Sequence, residues 1–272
     1  MKTQVENTVA YLKEAGIVAP QVGIVLGTGL GALADEIDVA LEVAYEDIPH
    51  FPVATVEFHK GKLIYGSIHG VKVLAMNGRF HFYEGYSMAE VVFPIRVMKF
   101  LGIEQLLISN AAGNMNLSWK KGQLMMITDH INLQPDNPLR GNGAGEFGPL
   151  FVDMSNPYAE SINQGLRDAA KENSIPLHEG TYVSVSGPNL ETKAEYKFLR
   201  AAGADVVGMS TVPEVIAANQ LALPVSAISV LTDDCDPDNL QPVNIEEIIA
   251  IAKTAEQDLI TIFKSYLRTL VK

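Results

Sequence analysis

VKVLAMNGRFHFYEGY, residues 71–86, contains the pattern on which the fold turns. An apolar run from Val71 to Met76 ends abruptly in a guanidinium, an imidazole and two phenols. A run that stays apolar instead of alternating suits a strand buried on both faces, whose tip then carries the chemistry. Six further β-branched runs recur between helix-length segments: Val22 to Leu26, Leu106 to Ser109, Leu124 to Thr128, Tyr182 to Val185, Val206 to Val207 and Val225 to Leu231. Working outward from residues 71–86, this spacing predicts an α/β fold. It is a mixed, largely parallel β-sheet flanked by helices on both faces, in a single domain spanning residues 1–272.

Helix starts and stops support that reading. Asn156-Pro157 reads as a cap and first-turn proline for a helix from Tyr158 to Glu172. Asn244 with Glu247 opens a C-terminal helix reaching Tyr266 or beyond, and Gly203 closes one through Glu195 to Ala202. Ser87 with Glu90 caps a segment running to Phe100, in which Pro94 predicts a kink.

Composition removes several classes of function. With 272 residues, 47% of them hydrophobic, the chain can bury a large core, and no linker, repeat or low-complexity tract divides it. A net charge of −12 opposes sequence-independent nucleic-acid binding, which needs a clustered basic face, while still allowing a local anion pocket. The first residues lack the apolar core of a signal peptide, and no uncharged apolar run approaches the ~18 residues of a membrane span. One cysteine, Cys235, excludes an internal disulfide. The expectation is a cytoplasmic protein with no nucleic-acid or membrane partner.

Several constellations could carry chemistry. An arginine fork, a histidine and ring hydroxyls at 79–86 suit an oxyanion beside a sugar. Gly27-Thr28-Gly29-Leu30-Gly31 can turn tightly and aim backbone N–H groups at an anion. With Ala32 it also satisfies G-x-G-x-x-A, with Glu46 and Asp47 near the distance of a ribose-binding acid, so a dinucleotide-binding oxidoreductase is a rival reading. Against it, the segment from Ala32 to Glu46 has no clear helix-then-strand pattern. The small residues of Ser109-Asn110-Ala111-Ala112-Gly113-Asn114 let a ligand approach the backbone. Asp129-His130 supplies too few ligands for a closed metal site and reads as structural; no metal is expected. Glu191, near a helix start, and Asp233, closing the last strand, are carboxylates able to meet a heterocycle. Met209 could cover a sugar face, and Ser210 could donate to an oxyanion.

Taken in order, these motifs resemble the trimeric family of purine nucleoside phosphorylases, which includes the methylthioadenosine phosphorylases. The similarity is carried by GTGLG at 27–31, His59, NGRFHFYEGY at 77–86, NAAG at 110–113, DHINL at 129–133, NPLRG at 137–141, GPNLET at 187–192 and VGMSTVPE at 207–214. It implies reversible phosphorolysis of (deoxy)guanosine and inosine in purine salvage, with inorganic phosphate as co-substrate and no cofactor. The phosphate would be bound by Thr28, Arg79, His81, the Ala111 backbone N–H and Ser210, with His59 nearby. Tyr83 and Met209 would hold the ribose. Leu190, Glu191, Val207 and Asp233 would surround the base, with His81, Glu191 and Asp233 as the catalytic groups. Phe151 matches an aromatic lent to a neighbouring subunit's site, which implies a homotrimer.

The chain departs from the family pattern in ways that bear on the base. Asp233 stands where many 6-oxopurine-specific members have Asn, and the methylthioadenosine branch has Asp. Leu190 replaces a common phenylalanine. Ile245 occupies the position of a histidine near the ribose 5′-hydroxyl, as in members that take a 5′-methylthio group. Glu191 points the other way, toward guanosine and inosine. An adenosine- or methylthioadenosine-preferring phosphorylase is therefore the alternative.

Overall fold

The computed structural model describes residues 1–53, 60–141 and 143–271. Along the chain run α1 (Lys2–Glu14), β1 (Val22–Leu26), β2 (Asp38–Ala44), β3 (Lys62–Ile68), β4 (Val71–Asn77), α2 (Met88–Val91), α3 (Phe93–Leu101), β5 (Gln105–Asn114) and β6 (Leu124–Asn132). They are followed by α4 (Glu160–Glu172), β7 (Leu177–Ser184), α5 (Lys193–Ala201), β8 (Val206–Gly208), α6 (Val212–Gln220), β9 (Val225–Asp234) and α7 (Ile245–Arg268).

The strands form one mixed sheet in the order β2-β3-β4-β1-β5-β8-β7-β6-β9, and β9 pairs back onto β5. Strands β5, β8, β7, β6 and β9 thus close on themselves, and β1 to β4 extend from the ring as a flap. The strands β4, β1, β5 and β9 are mutually parallel neighbours, while β2–β3, β3–β4, β5–β8 and β6–β9 are antiparallel. Successive side chains of β1 alternate between two cores, as a pleated strand buried on both faces requires. Val25 joins the core built with α1, α3 and α6, whereas Val22, Ile24 and Leu26 join the one built with α4 and α7.

Each of the seven apolar runs lies wholly or mostly in a strand, and β2 and β3 are additional. Most of β2 is exposed, and Glu42 interrupts its apolar residues, so no long apolar run marks it. Asn244 caps α7 through the Glu247 N–H at 3.2 Å, and Gly203 takes a left-handed φ of +99° after α5. Two expectations need correction. The helix after Asn156-Pro157 begins only at Glu160, with Ala159 as its cap, because Ala159 N–H is bonded to Val225 O of β9 at 2.8 Å. The Ser87–Glu90 capping box is present, yet Pro94 produces a break instead of a kink. Val92 separates α2 from α3, and the proline sits in the first turn of α3, where its missing N–H costs nothing.

Candidate active site

The carboxyl ends of β4, β1, β5 and β9 open on a cleft, the usual position for a ligand in such a sheet. At one end the chain leaves β4 and delivers Arg79, which is 1% exposed. Its guanidinium is held from several sides. Nε donates to Glu214 Oε1 at 3.2 Å, and Nη1 donates to Ser109 O at 2.9 Å and Ser210 Oγ at 3.1 Å. A buried cation pinned in this way presents a fixed face to an anion without reorganising.

Strain helps to place Ser210. Thr211 has φ +69° and ψ −54°, and Val212 N–H donates to Ser210 O at 2.7 Å, a γ-turn of the rare positive-φ kind. A β-branched residue held there needs strong neighbours. Glu214 Oε2 accepts the Thr211 N–H at 2.8 Å, and Asn110 Nδ2 donates to the Thr211 hydroxyl at 2.9 Å. Glu214 therefore does two things: it neutralises Arg79 and holds the turn that carries Ser210.

His81 follows Arg79 by two residues. Glu84 Oε1 lies 2.8 Å from both the His81 backbone N–H and ring Nδ1, which favours the Nδ1–H tautomer. The imidazole stacks on Tyr83, with centroids 4.7 Å apart, and burial pushes the Tyr83 hydroxyl up to about 12, so it stays a neutral donor. Thr28 lines the same end, on a loop that packs close to β5. A side chain at Gly27 would meet the Asn110 Cα at 2.8 Å.

The opposite end is acidic. A register shift opposite Ala112 and Gly113 leaves Thr232 as an extra residue in β9, and a bulge of this kind re-aims the side chain beside it. Asp233 then lines the cleft with Glu191, Tyr196, Val207, Leu190 and Cys235. Gly113 is required there, since a Cβ would meet Cys235 Sγ at 2.5 Å and Asp233 Oδ2 at 3.3 Å. Burial raises the Glu191 carboxyl above the usual range, and the charge of Asp233 adds to the effect. Met209 and Tyr83 also line the cleft.

A sequence model described as the phosphorylase superfamily matches residues 21–268. The chain belongs to that superfamily. Purine nucleoside phosphorylase 1 of Bacillus subtilis (strain 168) is 46% identical over 97% of this chain and 98% of its own length. Isoform 2 of the Schistosoma mansoni purine nucleoside phosphorylase, solved with cytosine and ribose-1-phosphate, superposes with a TM-score of 0.93. It is 40% identical and covers 99% of this chain and 97% of its own. A Schistosoma mansoni structure with adenosine gives 0.92 at 38% identity, covering 98% and 97%.

Within this phosphorylase cleft lie Thr28, Arg79, His81, Tyr83, Ala111, Leu190, Glu191, Val207, Met209, Ser210 and Asp233. His59 is outside the described residues. Phe151 is not in the cleft: it is 98% exposed, on the loop before α4. Ile245 is also exposed, and Ile248, one turn along α7, reaches the cleft instead. Asp129 and His130 hold their own strand end, with His130 Nδ1 3.1 Å from Tyr158 Oη. The nearby Gln134 braces the cleft by donating to Val185 O at 2.6 Å and to Met209 O at 3.4 Å.

The dinucleotide reading meets a physical obstacle. After the glycine loop comes one short 3₁₀ turn, Ala32–Glu36, in place of a helix, and its leading amide is occupied. Ala32 N–H donates at 2.6 Å to Glu256 of α7, which fills the position an anionic pyrophosphate would need.

Sequence reasoning missed Glu84, Thr211, Glu214, Tyr196 and Cys235 as parts of the site. The signal for two of them was present: Thr211-x-x-Glu214 has capping-box spacing, and Glu84 falls three residues after His81. Nothing local marks Tyr196, which arrives from α5.

Burial lowers the proton affinity of His81 below the ordinary imidazole value of 6.5, against the opposing pull of Glu84. The unfolded chain then binds a proton that the folded chain refuses. This contribution to stability is intact above about pH 6.5 and declines as pH falls toward the lower folded value. Urea midpoints measured between about pH 7.5 and 5.5 should fall less steeply for His81→Asn than for the wild type. Identical slopes would contradict the assignment.

Proposed function

We propose that the chain is a purine nucleoside phosphorylase acting on (deoxy)guanosine and inosine, releasing the free purine and (deoxy)ribose 1-phosphate as a step of purine salvage. The observation that carries this reading is one cleft whose lining joins a fixed cation and hydroxyls to a pair of carboxylates. Relatives in the same superfamily carry that name, and one was solved with ribose-1-phosphate.

Arg79, His81, Thr28, Ser210 and the Ala111 N–H hold inorganic phosphate beneath the sugar, while Tyr83 and Met209 hold the ribose. A phosphate oxygen forms a bond to C1′ as the C1′–N9 bond breaks, and the electron pair of that bond leaves with the purine. Bound phosphate stabilises the developing oxocarbenium ion, and orientation in one cleft supplies the proximity. Leu190 and Val207 flank the base, and Glu191 and Asp233 are the groups assigned to its edge as negative charge leaves onto the purine. With Nδ1 engaged by Glu84, Nε2 is the His81 nitrogen assigned to the phosphate. No cofactor is required in this scheme. The chain works as one domain within a cytoplasmic homotrimer, in which Phe151 covers the ribose end of a neighbour's cleft.

A nucleoside panel incubated with and without phosphate tests the reading. Base should be released from guanosine and inosine only when phosphate is present. Equal release in phosphate-free buffer would identify a hydrolase.

A further inference from the structure

The glycine loop that carries Thr28 is held from two sides. On one side β5 grips its start: Gly27 N–H donates to Ser109 Oγ at 3.2 Å, and the carbonyl of the same serine accepts Arg79 Nη1 at 2.9 Å. One residue of β5 therefore fixes both the loop and the guanidinium. On the other side lies α7, which the scheme above leaves unused.

The end of the loop has no cap of its own. Past Gly31 the chain enters the 3₁₀ turn Ala32–Glu36, and Gly31 at the capping position offers no side-chain acceptor to the leading N–H groups. A side chain would also be crowded there, since a Cβ at Gly31 would lie 3.1 Å from Asn77 Oδ1. The acceptor comes instead from the far end of the sequence. Glu256 Oε1 takes the Ala32 N–H at 2.6 Å, and Glu256 is buried. Burial raises the proton affinity of this carboxyl, and the hydrogen bond from Ala32 opposes the rise. A buried carboxylate is costly unless hydrogen bonds compensate it, so the contact ties Glu256 and the turn to one another.

Ile248, Ala252 and Glu256 recur every four residues and share one face of α7. Ile248 lines the cleft, Ala252 packs behind Gly29, and Glu256 reaches Ala32. Gly29 has φ +74°, and a Cβ there would lie 3.2 Å from the Ala252 Cβ, so little space separates helix from loop. Within the loop, Leu30 N–H donates to Gly27 O at 3.1 Å, and the Leu30 side chain shares a core with Ala252. Thr28 thus stands in a short span anchored at Gly27 by β5 and at Ala32 by α7.

We propose that Glu256 is a positioning residue for phosphate: by capping Ala32 it fixes the glycine loop against α7 and sets Thr28 in the phosphate site. This rests on Thr28 binding phosphate, as proposed above. Glu256 does not line the cleft, so its influence is confined to what the loop holds. Without the cap, phosphate binding must itself order the loop, and affinity falls by that cost.

The test measures KM for phosphate at saturating inosine, KM for inosine at saturating phosphate, and the urea midpoint. Glu256→Ala should raise the phosphate KM by about tenfold, the scale of a hydrogen bond to a charged group, and leave the inosine KM within about twofold of wild type. Glu256→Met, which fills the space without an oxygen acceptor, should reproduce this split and serves if the alanine variant is too unstable to purify. Glu256→Gln keeps an acceptor oxygen and should return the phosphate KM close to the wild-type value. A cap that serves stability alone would lower the urea midpoint of the alanine and methionine variants and leave both KM values in place. That result, equal rises in the two KM values, a glutamine variant as impaired as the alanine one, or failure of both the alanine and methionine variants to fold would overturn the proposal. A wild type that releases base equally without phosphate would overturn the phosphorylase reading beneath it.

Discussion

Arg79→Ala is expected to lower kcat/KM for phosphate by about 30-fold to several-thousand-fold, equivalent to the roughly 2–5 kcal/mol lost when one partner of a buried charge pair is truncated. The same change strands Glu214, which is 3% exposed and 3.2 Å from Arg79 Nε, so folding should weaken by about 3–5 kcal/mol as well. A double variant separates these effects. Arg79→Met with Glu214→Gln removes both charges while leaving an amide oxygen to accept the Thr211 N–H. Its urea midpoint should lie well above that of Arg79→Ala while phosphate kinetics stay impaired. If activity returned together with stability, Arg79 would be a structural cation and nothing more.

The next largest effect concerns assembly. Phe151 is 98% exposed and does not line its own cleft, as expected of a residue that completes another subunit's site. Phe151→Ala should raise the nucleoside KM strongly while sparing phosphate. Mixed trimers of Phe151→Ala and Arg79→Ala should then recover activity. With heterologous contacts around a three-fold ring and random mixing, about one quarter of the sites pair an intact Arg79 with a neighbour's intact Phe151. Sedimentation should report a trimer or a multiple of it. Verified mixed trimers with no recovered activity would refute site sharing and leave the chemistry untouched.

The parts of the fold that could be read from sequence were those specified by local physics. Buried strands must be apolar on both faces, so β1, β4 and β9 announce themselves, and Asn244 caps α7 within one turn of chain. The exposed β2 was hidden because its residues obey no such constraint. The closure of β9 onto β5 was hidden because it is a long-range pairing with no local signature. The site divides in the same way. Arg79, His81 and Asp233 stand at strand ends with chemically distinctive side chains. Tyr196 and Cys235 acquire meaning only because α5 and the end of β9 pack together around Gly113. The Asn156-Pro157 signal misled because a backbone hydrogen bond to β9 outcompeted a good local cap.

The central claim is that phosphate held by Arg79, His81 and Ser210 is itself the nucleophile at C1′. Inosine cleaved in phosphate labelled with ¹⁸O at every oxygen tests this directly, with the sugar phosphate analysed by mass. The account predicts ribose 1-phosphate retaining the full label, including the oxygen that bridges to C1′. An unlabelled bridging oxygen, or unphosphorylated ribose as the first product, would contradict it.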